Sequence, residues 1–492
     1  MAQDRDYQIS DITPEIESRI QAIKEWREKG IDPFGERFER TKYAKQVLDE
    51  YPSNEEDDVI VAGRLTAKRD MGKAVFLDLT DSSEKIQIFC KLDNLGEETL
   101  SDVTNRMHVG DFIGVHGEVF KTKRGEISIR AKEIKLLSKA LRPLPEKWHG
   151  LRDIEIRYRQ RFLDLIANPE VHRVFKARGR VIKEIRDYLD ENHFLEVETP
   201  VFHKIPGGAT ARPFATHHNA LDLDFFLRIS LELHLKIAMI GGIERVYEMN
   251  KVFRNEGMDR DHSPEYTMLE LYQAYADYTD MMKIVEDLYL RCALALHGTH
   301  IIKYEGEEYD LSPPWPRKQY NELMIEHSAV DLSKKPSVEE LQKIAKRYDP
   351  EADKIKTRGR LIDLIFKSTV EEHLKGPLFV IDYPIEISPL AKKIPGRDGF
   401  VYRFEAFIRG SEMANAFSEL NDPIDQRERF LSQMKDRAAG DEEAMQLDEE
   451  FLLAMEHGMP PAGGLGVGID RMLMFLMDQP SIRDVILFPL MK

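Results

Sequence analysis

Between Val252 and Tyr272 the chain gathers residue types suited to charged substrates: Arg254, Glu256, His262, Tyr266, Glu270 and Tyr272. Two apolar-containing runs flank a polar stretch, which predicts a β-hairpin. Side chains alternate across a strand, so Arg254 and Glu256 should share a face of the first strand. Tyr266, Glu270 and Tyr272 should share one on the second, with Leu269 and Leu271 opposite. A face carrying Arg, two Glu and two Tyr makes a poor core. It makes a good floor for a charged ligand with a flat ring, and convergent ionisable groups usually mark sites.

Three other clusters carry chemistry. In the stretch 403–419, a tight turn at Arg409-Gly410 sets Glu412 across from Phe407, on the face of Glu405. Two carboxylates there suit Mg²⁺ beside phosphates, with water filling the remaining positions. Strict alternation sends Asn415 and Glu419 to the other face, so a bulge between Glu412 and Asn415 is needed for all four to meet. The second cluster is Pro206-Gly207-Gly208-Ala209 with Arg228-Ile229-Ser230-Leu231-Glu232. Glycine lets a backbone carbonyl approach a ligand, and Glu232 among apolar residues needs a cation. The third, Gly463-Gly464-Leu465-Gly466-Val467-Gly468-Ile469-Asp470-Arg471, closes the chain. No βαβ unit follows it, which excludes a dinucleotide-binding fingerprint, and no Walker-type Gly-Lys-Ser/Thr is present.

The elements that position these residues need more than one core. A chain of 492 residues should form two or three domains. Residues 1–58 read as a helical extension, with Ile16, Ile20 and Ile23 at helix spacing, ended by the acidic run Asn54–Asp58. From Val59 the period changes to strands: Val59–Leu65, Ala74–Leu79, Lys85–Cys90, Asp111–Val119 and Glu126–Ala131, with a helix-compatible stretch Leu95–Met107 before the fourth. That order suggests an OB-fold β-barrel over 59–142, whose face binds oligonucleotides. Phe76 can stack on an unpaired base and Gln87 can read its edge, although core packing is the plainer role for Phe76. Pro143 and Pro145 stiffen a linker over 143–157, and a last domain spans 158–492. In it the apolar stripe Val181, Ile182, Ile185, Leu189 marks a helix Phe175–Glu191, followed by Phe194–Val197 and Pro200. Residues 318–375 read as a helical insertion without identifiable chemistry.

Composition is that of a soluble globular protein: 42% hydrophobic, 32% charged, and no apolar run of membrane-spanning length. The first residues, Met-Ala-Gln-Asp-Arg-Asp, lack the pattern of a signal peptide. Cys90 and Cys292 are lone and fit no metal or redox motif, as expected of reduced thiols in a cytoplasmic protein. A net charge of −17 argues against indiscriminate coating of nucleic acid. Local basic patches, Lys121-Lys123-Arg124 and Lys132-Lys135-Lys139-Arg142, leave room for an RNA partner.

The hairpin from Phe253-Arg254-Asn255-Glu256-Gly257 to His262-Ser263-Pro264-Glu265-Tyr266-Thr267 resembles motif 2 of class II aminoacyl-tRNA synthetases. The helix and strand up to Pro200 resemble motif 1, which builds a dimer interface, and the glycine run ending at Arg471 resembles motif 3. With the barrel, the likeness to bacterial-type class II lysyl-tRNA synthetases covers nearly the whole chain. It implies an α+β fold: an OB-fold barrel, then a catalytic domain with a mainly antiparallel sheet flanked by helices. It implies ATP, L-lysine and tRNA(Lys) as substrates, Mg²⁺ as cofactor, a homodimer and no membrane. By the same resemblance Arg254 binds the α-phosphate and the lysine carboxylate, Tyr266 stacks on adenine and Glu256 contacts its amino group. His262 and Arg471 face the outer phosphates, and Glu405 and Glu412 carry Mg²⁺. Gly208 and Glu232 take the α-ammonium with Ser230 beside them, and Asn415 lies near the carboxylate. Glu270, Tyr272 and Glu419 hold the ε-ammonium. In the barrel Arg69, Phe76, Gln87 and Glu126 match positions that read the anticodon.

Lysine also fits on physical grounds. An ammonium on an apolar stem needs acceptors, and two carboxylates with a phenol supply them, whereas an aspartate site needs cations at that depth. A paralogue that lysylates protein would lack the barrel, and a retired, RNA-binding synthetase need not keep Arg254, Glu405, Glu412 and Arg471. Two residues depart from the family pattern. Ser230 stands where alanine is usual, and Asp261 replaces a neutral or basic residue before His262.

Overall fold

The computed structural model describes residues 12–144, 151–438, 440–441 and 443–491. The chain divides into two compact units between Arg152 and Asp153. The first eleven residues of the helical extension read above, and residues 145–150 of the linker, lie outside the described residues.

In the first unit, β1 (Asp58–Asp70), β2 (Ala74–Thr80), β3 (Lys85–Lys91), β4 (Phe112–Lys121) and β5 (Ile127–Ser138) close into a barrel in the order β1-β2-β3-β5-β4. Alternation explains it: Val75, Leu77, Leu79, Ile86, Ile88 and Cys90 turn inward and are buried. Phe76 and Gln87 therefore point outward. A bulge between Leu65 and Ala67 bends β1 so that it pairs with both β2 and β4. The helix Leu92–Asn105 buries Leu100 and Val103 against the barrel core. Ahead of the barrel, the helix Pro14–Glu28 starts at the Thr13 cap and buries Ile16, Ala22, Ile23 and Trp26.

The second unit is organised by an eight-stranded sheet. Its strands are β6 (Leu195–Glu196), β10 (Arg245–Phe253), β11 (Glu265–Ala274), β14 (Arg317–Gln319), β15 (Leu378–Pro384), β16 (Phe400–Ile408), β17 (Ser411–Ser418) and β18 (Ala462–Gly468). The order is β14-β15-β16-β17-β18-β11-β10-β6, antiparallel except for the two edge pairs. A small sheet, β7 (Phe202–His203), β8 (Ala215–His218) and β9 (Leu223–Leu227), and a hairpin, β12 (Ile301–Tyr304) with β13 (Glu307–Asp310), complete the strands.

One face of the large sheet is apolar. Leu269, Leu271, Phe404, Ala406, Ala414, Ala416, Leu465 and Val467 form a core with the helices Pro169–Glu191, Tyr278–His297 and Ile469–Leu476. The central helix is well specified locally: Asp277 accepts from the Thr279 and Asp280 amides, and Gly298 ends it in a left-handed conformation. The other face is left for polar groups. Helices Tyr320–Ser328, Val338–Ala345 and Arg358–Thr369 lie between β14 and β15, and their apolar side chains pack in one cluster with Val380 and Phe407 of the sheet. Cys90 and Cys292 are buried free thiols, and burial pushes both up to about 12, which leaves them unreactive.

Candidate active site

The polar face is built by register. Glu270 lies opposite Gly466, Gly466 opposite Asn415, and Asn415 opposite Glu405, so one row crosses four strands. The next row runs Tyr272, Gly464, Phe417, Arg403. Directly paired residues share a face, so both rows look the same way. A Cβ on Gly464 would collide with the Glu419 carboxylate and the Tyr272 ring. The glycine run is thus a strand stripped of side chains, which leaves the floor open for a ligand.

The bulge required by the sequence is present. Arg409 and Gly410 both take positive φ (54° and 70°) in a two-residue turn, and Glu412 pairs with Phe407. The register then slips, with Ala414 opposite Ala406, so Met413 is the extra residue. That one-residue shift brings Asn415 into the row of Glu405 while Glu412 remains near enough to repel it.

The first strand of the hairpin differs from expectation. β10 ends at Phe253, so Arg254 and Glu256 lie in the following loop instead of sharing a strand face. Only the Arg254 amide extends the ladder, donating to the Pro264 carbonyl at 2.8 Å. Proline returns no N–H, and the Asn255 amide turns away to the Arg212 carbonyl. Arg254 still reaches the site, with its guanidinium 5.5 Å from the Tyr266 ring centroid and its Nε donating to the Ile229 carbonyl. Glu256 is exposed.

Arg471 opens the helix Ile469–Leu476 beside Asp470, which is anchored by the Thr267 amide (2.6 Å) and Arg178 (2.5 Å). Its guanidinium donates to the Glu412 carbonyl at 2.9 Å and meets His262 Nε2 at 3.2 Å. His262 Nδ1 is held by Asp259 at 2.9 Å. Asp261 donates its amide to Asp259, while Arg260 pairs with Glu305 and lies 4.0 Å from Asp261.

Glu270, Glu232 and Glu419 form a buried acidic cluster. Glu270 accepts from the Ser230 hydroxyl (2.9 Å), the Leu231 amide (3.0 Å) and the Tyr272 hydroxyl (3.2 Å). Ser230 also accepts from the Glu232 amide at 3.0 Å. Gly208, at φ +82°, closes over these two residues; a Cβ there would sit 2.7 Å from Ser230 Oγ. The segment 228–232 is fixed from behind by the buried pair Arg228–Glu248 at 2.7 Å. Burial and the Glu232 charge push Glu270 up to about 7, and burial with its acidic neighbours pushes Glu419 up to about 8 against the pull of Lys236.

Glu405 is half-buried; desolvation and Glu412 push it up to about 7 although Arg403 (2.5 Å) and the Tyr383 hydroxyl (2.8 Å) hold its oxygens. A hard carboxylate with a second one beside it suits Mg²⁺, which commonly uses one or two carboxylates together with substrate phosphates. Among the described residues no group of three or more His, Cys, Asp or Glu is placed to hold a metal alone.

Sequence reasoning missed three members of the site. Arg403 donates to Asn415 Oδ1 (3.1 Å) and Glu405 and lies 4.6 Å from the Tyr383 ring centroid. Lys236 supplies the cation that Glu232 needed, one helical turn away, and the Glu-to-Lys i,i+4 spacing was the available signal. Glu371, from the helical segment read as lacking chemistry, is pushed up to about 7 by burial and Glu405.

On the barrel, Arg69 pairs across from Phe76, and Asp78 from Gln87. Phe76 lies 5.0 Å from Phe89, which lies 5.9 Å from Phe120, an aromatic strip with Arg130 over its end. Gln87 donates to Glu126 at 3.1 Å and accepts from Ser128. Phe76 is half-buried and belongs to this outer strip, not to the core. The second basic patch is not one surface: Lys139 is fully buried against Asp111 at 2.6 Å.

Residues 153–492 match the model of the class II tRNA synthetases (D, K and N), and 59–137 match an OB-fold nucleic acid binding domain. The chain is 52% identical to the lysine–tRNA ligase of Moorella thermoacetica over 96% of its own length and 97% of that protein. It is 53% identical to that of Pelotomaculum thermopropionicum (98% and 96% covered) and 55% identical to that of a Thermoanaerobacter species (95% and 93%). The chain belongs to the class II lysyl-tRNA synthetases. Membership accounts for the pairing of a nucleic-acid barrel with an antiparallel catalytic sheet. No helix among the described residues is long and apolar enough to cross a membrane.

Proposed function

We propose that lysine is activated by ATP on the polar face of the large sheet and then transferred to the 3′ end of tRNA(Lys). The reading is carried by the bulge at Met413, which aligns Asn415 with Glu270 and Glu405 across a glycine strand. Lysine lies over Gly464 and Gly466. Its α-ammonium meets the Gly208 carbonyl and Glu232, its carboxylate faces Asn415 and Arg254, and its ε-ammonium meets Glu270, Tyr272 and Glu419. Adenine stacks on Tyr266 with Glu256 at its amino group, and the outer phosphates face His262 and Arg471. Glu405 and Glu412 would hold Mg²⁺, which neutralises phosphate charge when bound.

No protein base is needed. The lysine carboxylate is already ionised at neutral pH and attacks the α-phosphorus in line, expelling pyrophosphate. Arg254 and Arg471 position the reactants and stabilise charge that develops on phosphate oxygens. The tRNA 3′-hydroxyl then attacks the lysyl-adenylate. Arg69, Phe76, Gln87 and Glu126 read the anticodon. Exposed Leu195, Val201 and Phe202 around Pro200 support a homodimer through the motif 1 region, in the cytoplasm. Pyrophosphate exchange that requires lysine and is followed by charging of tRNA(Lys) tests the reading; exchange with any other amino acid in its place would overturn it.

Two consequences concern the acidic pocket. Glu270 and Glu419 carry protons below about 7 and about 8 in the free pocket, and an ammonium favours their ionised forms. Lysine affinity should therefore weaken as pH falls from 8.5 to 6, by roughly ten-fold or more, while ATP affinity changes less. A lysine KM flat across that range would contradict the pocket. The Ser230 hydroxyl helps hold Glu270 ionised. Ser230→Ala should raise the lysine KM several-fold, about 1 kcal/mol, and leave the ATP KM unchanged. A change in ATP binding would mean that segment 228–232 is misassigned.

A further inference from the structure

Lys236 takes no part in the chemistry above, yet it sits at the centre of the pocket. Its side chain is 1% exposed, and its ammonium pairs with both Glu232 and Glu419, 2.5 Å from Glu419 Oε2. It also lies 5.7 Å from the Tyr272 ring centroid. Neutralising Glu232 alone would be an ordinary helix i,i+4 pair. Holding a second carboxylate, from the end of another strand, is more than that pair requires. Glu419 Oε1 remains buried with no hydrogen-bond donor.

Glu232 and Lys236 face the pocket from one helix, Glu270 and Tyr272 from β11, and Glu419 from just past β17. Arg403 from β16 acts on Glu232 at a distance, but its guanidinium is bonded to Glu405 and Asn415. Arg254 feels Glu270 and lies toward the nucleotide side, over Tyr266. The remaining contacts on Glu270, from Ser230 and the Leu231 amide, are neutral. When the ammonium groups of a bound ligand hold all three carboxylates ionised, three negative charges against the one Lys236 ammonium leave two.

We propose that Lys236 is a specificity-determining and positioning residue: it sets the pocket at minus two, matching an amino acid with two ammonium groups, and holds Glu419 aimed at the distal one. The proposal rests on the assignment of this pocket to lysine. Burial opposes the Lys236 ammonium, but Glu232 and Glu419 outweigh it and raise its pKa, so it stays charged. Without it, three carboxylates face one another, and protons fill the place of the missing charge. L-Lysine must then displace those protons to bind. A group that merely packs would have no such effect.

The test is lysine-dependent pyrophosphate exchange by the full-length protein from pH 6 to 9, with calorimetric titration of L-lysine in two buffers of different ionisation enthalpy. Lys236→Met should raise the lysine KM at pH 7 by about 30-fold or more, with the ATP KM unchanged. The pH at which lysine affinity is half-lost should move up by about one unit or more, with more protons released on binding. Lys236→Gln, which keeps hydrogen bonds but no charge, should move the same midpoint and carries the test if the methionine variant fails to fold. Lys236→Arg should return the midpoint toward wild type. A folded neutral variant with the wild-type midpoint and proton release overturns the proposal, as does a fall in kcat equal at every pH. If the unmodified protein shows no lysine-dependent exchange, the assignment of the pocket itself fails.

Discussion

Glu419→Gln should raise the KM for lysine by about 30- to 1000-fold, equivalent to about 2–4 kcal/mol, the cost of losing a charge-assisted bond to a buried cation. The carboxylate is completely buried, its Oε1 has no hydrogen-bond donor, and Gly464 provides the space in front of it. The amide keeps the shape but exchanges an acceptor for a donor, which faces the incoming ammonium with the wrong polarity. Lys236 would then pair with Glu232 alone, so the helix Glu232–Ile240 should stay folded. ATP affinity measured without lysine should hardly move, because Arg471, His262 and Tyr266 lie outside this cluster. Unchanged lysine kinetics in exchange would remove Glu419 from the pocket.

Most of the site was legible because a strand has a period of two. Glu270 and Tyr272 fall on one face and Leu269 and Leu271 on the other by alternation alone, and the structure keeps that division. The bulge was legible too, since Glu405, Glu412, Asn415 and Glu419 cannot meet without one. The OB barrel followed from strand order and the helix before β4. Other features depend on contacts distant in sequence. β10 stops at Phe253 because the Asn255 amide is claimed by Arg212, more than forty residues earlier in the chain. Arg403 looks like one more charge on a strand until Tyr383 and Asn415 are brought against it. Lys139 reads as part of a basic surface, yet Asp111 takes it inside. Periodicity reports which face a residue occupies; it does not report what packs on that face.

Phe76→Ala should separate the two half-reactions. Phe76 lies on the outside of the barrel against Phe89, while Val75 and Leu77 on either side fill the core, so truncation removes a stacking surface and leaves the barrel filled. Lysine-dependent pyrophosphate exchange, carried out in the other unit, should stay near normal. Base–aromatic stacking is worth about 1–3 kcal/mol per base, so charging of tRNA(Lys) should fall by roughly five- to 150-fold in kcat/KM, mostly through KM for tRNA. Arg130 and Phe120 at the far end of the strip should give smaller losses of the same kind, because a shared platform distributes its contacts. Equal damage to exchange and charging would show that Phe76 supports the fold. Normal charging would place the anticodon elsewhere on the barrel, away from the Arg69, Gln87 and Glu126 cluster.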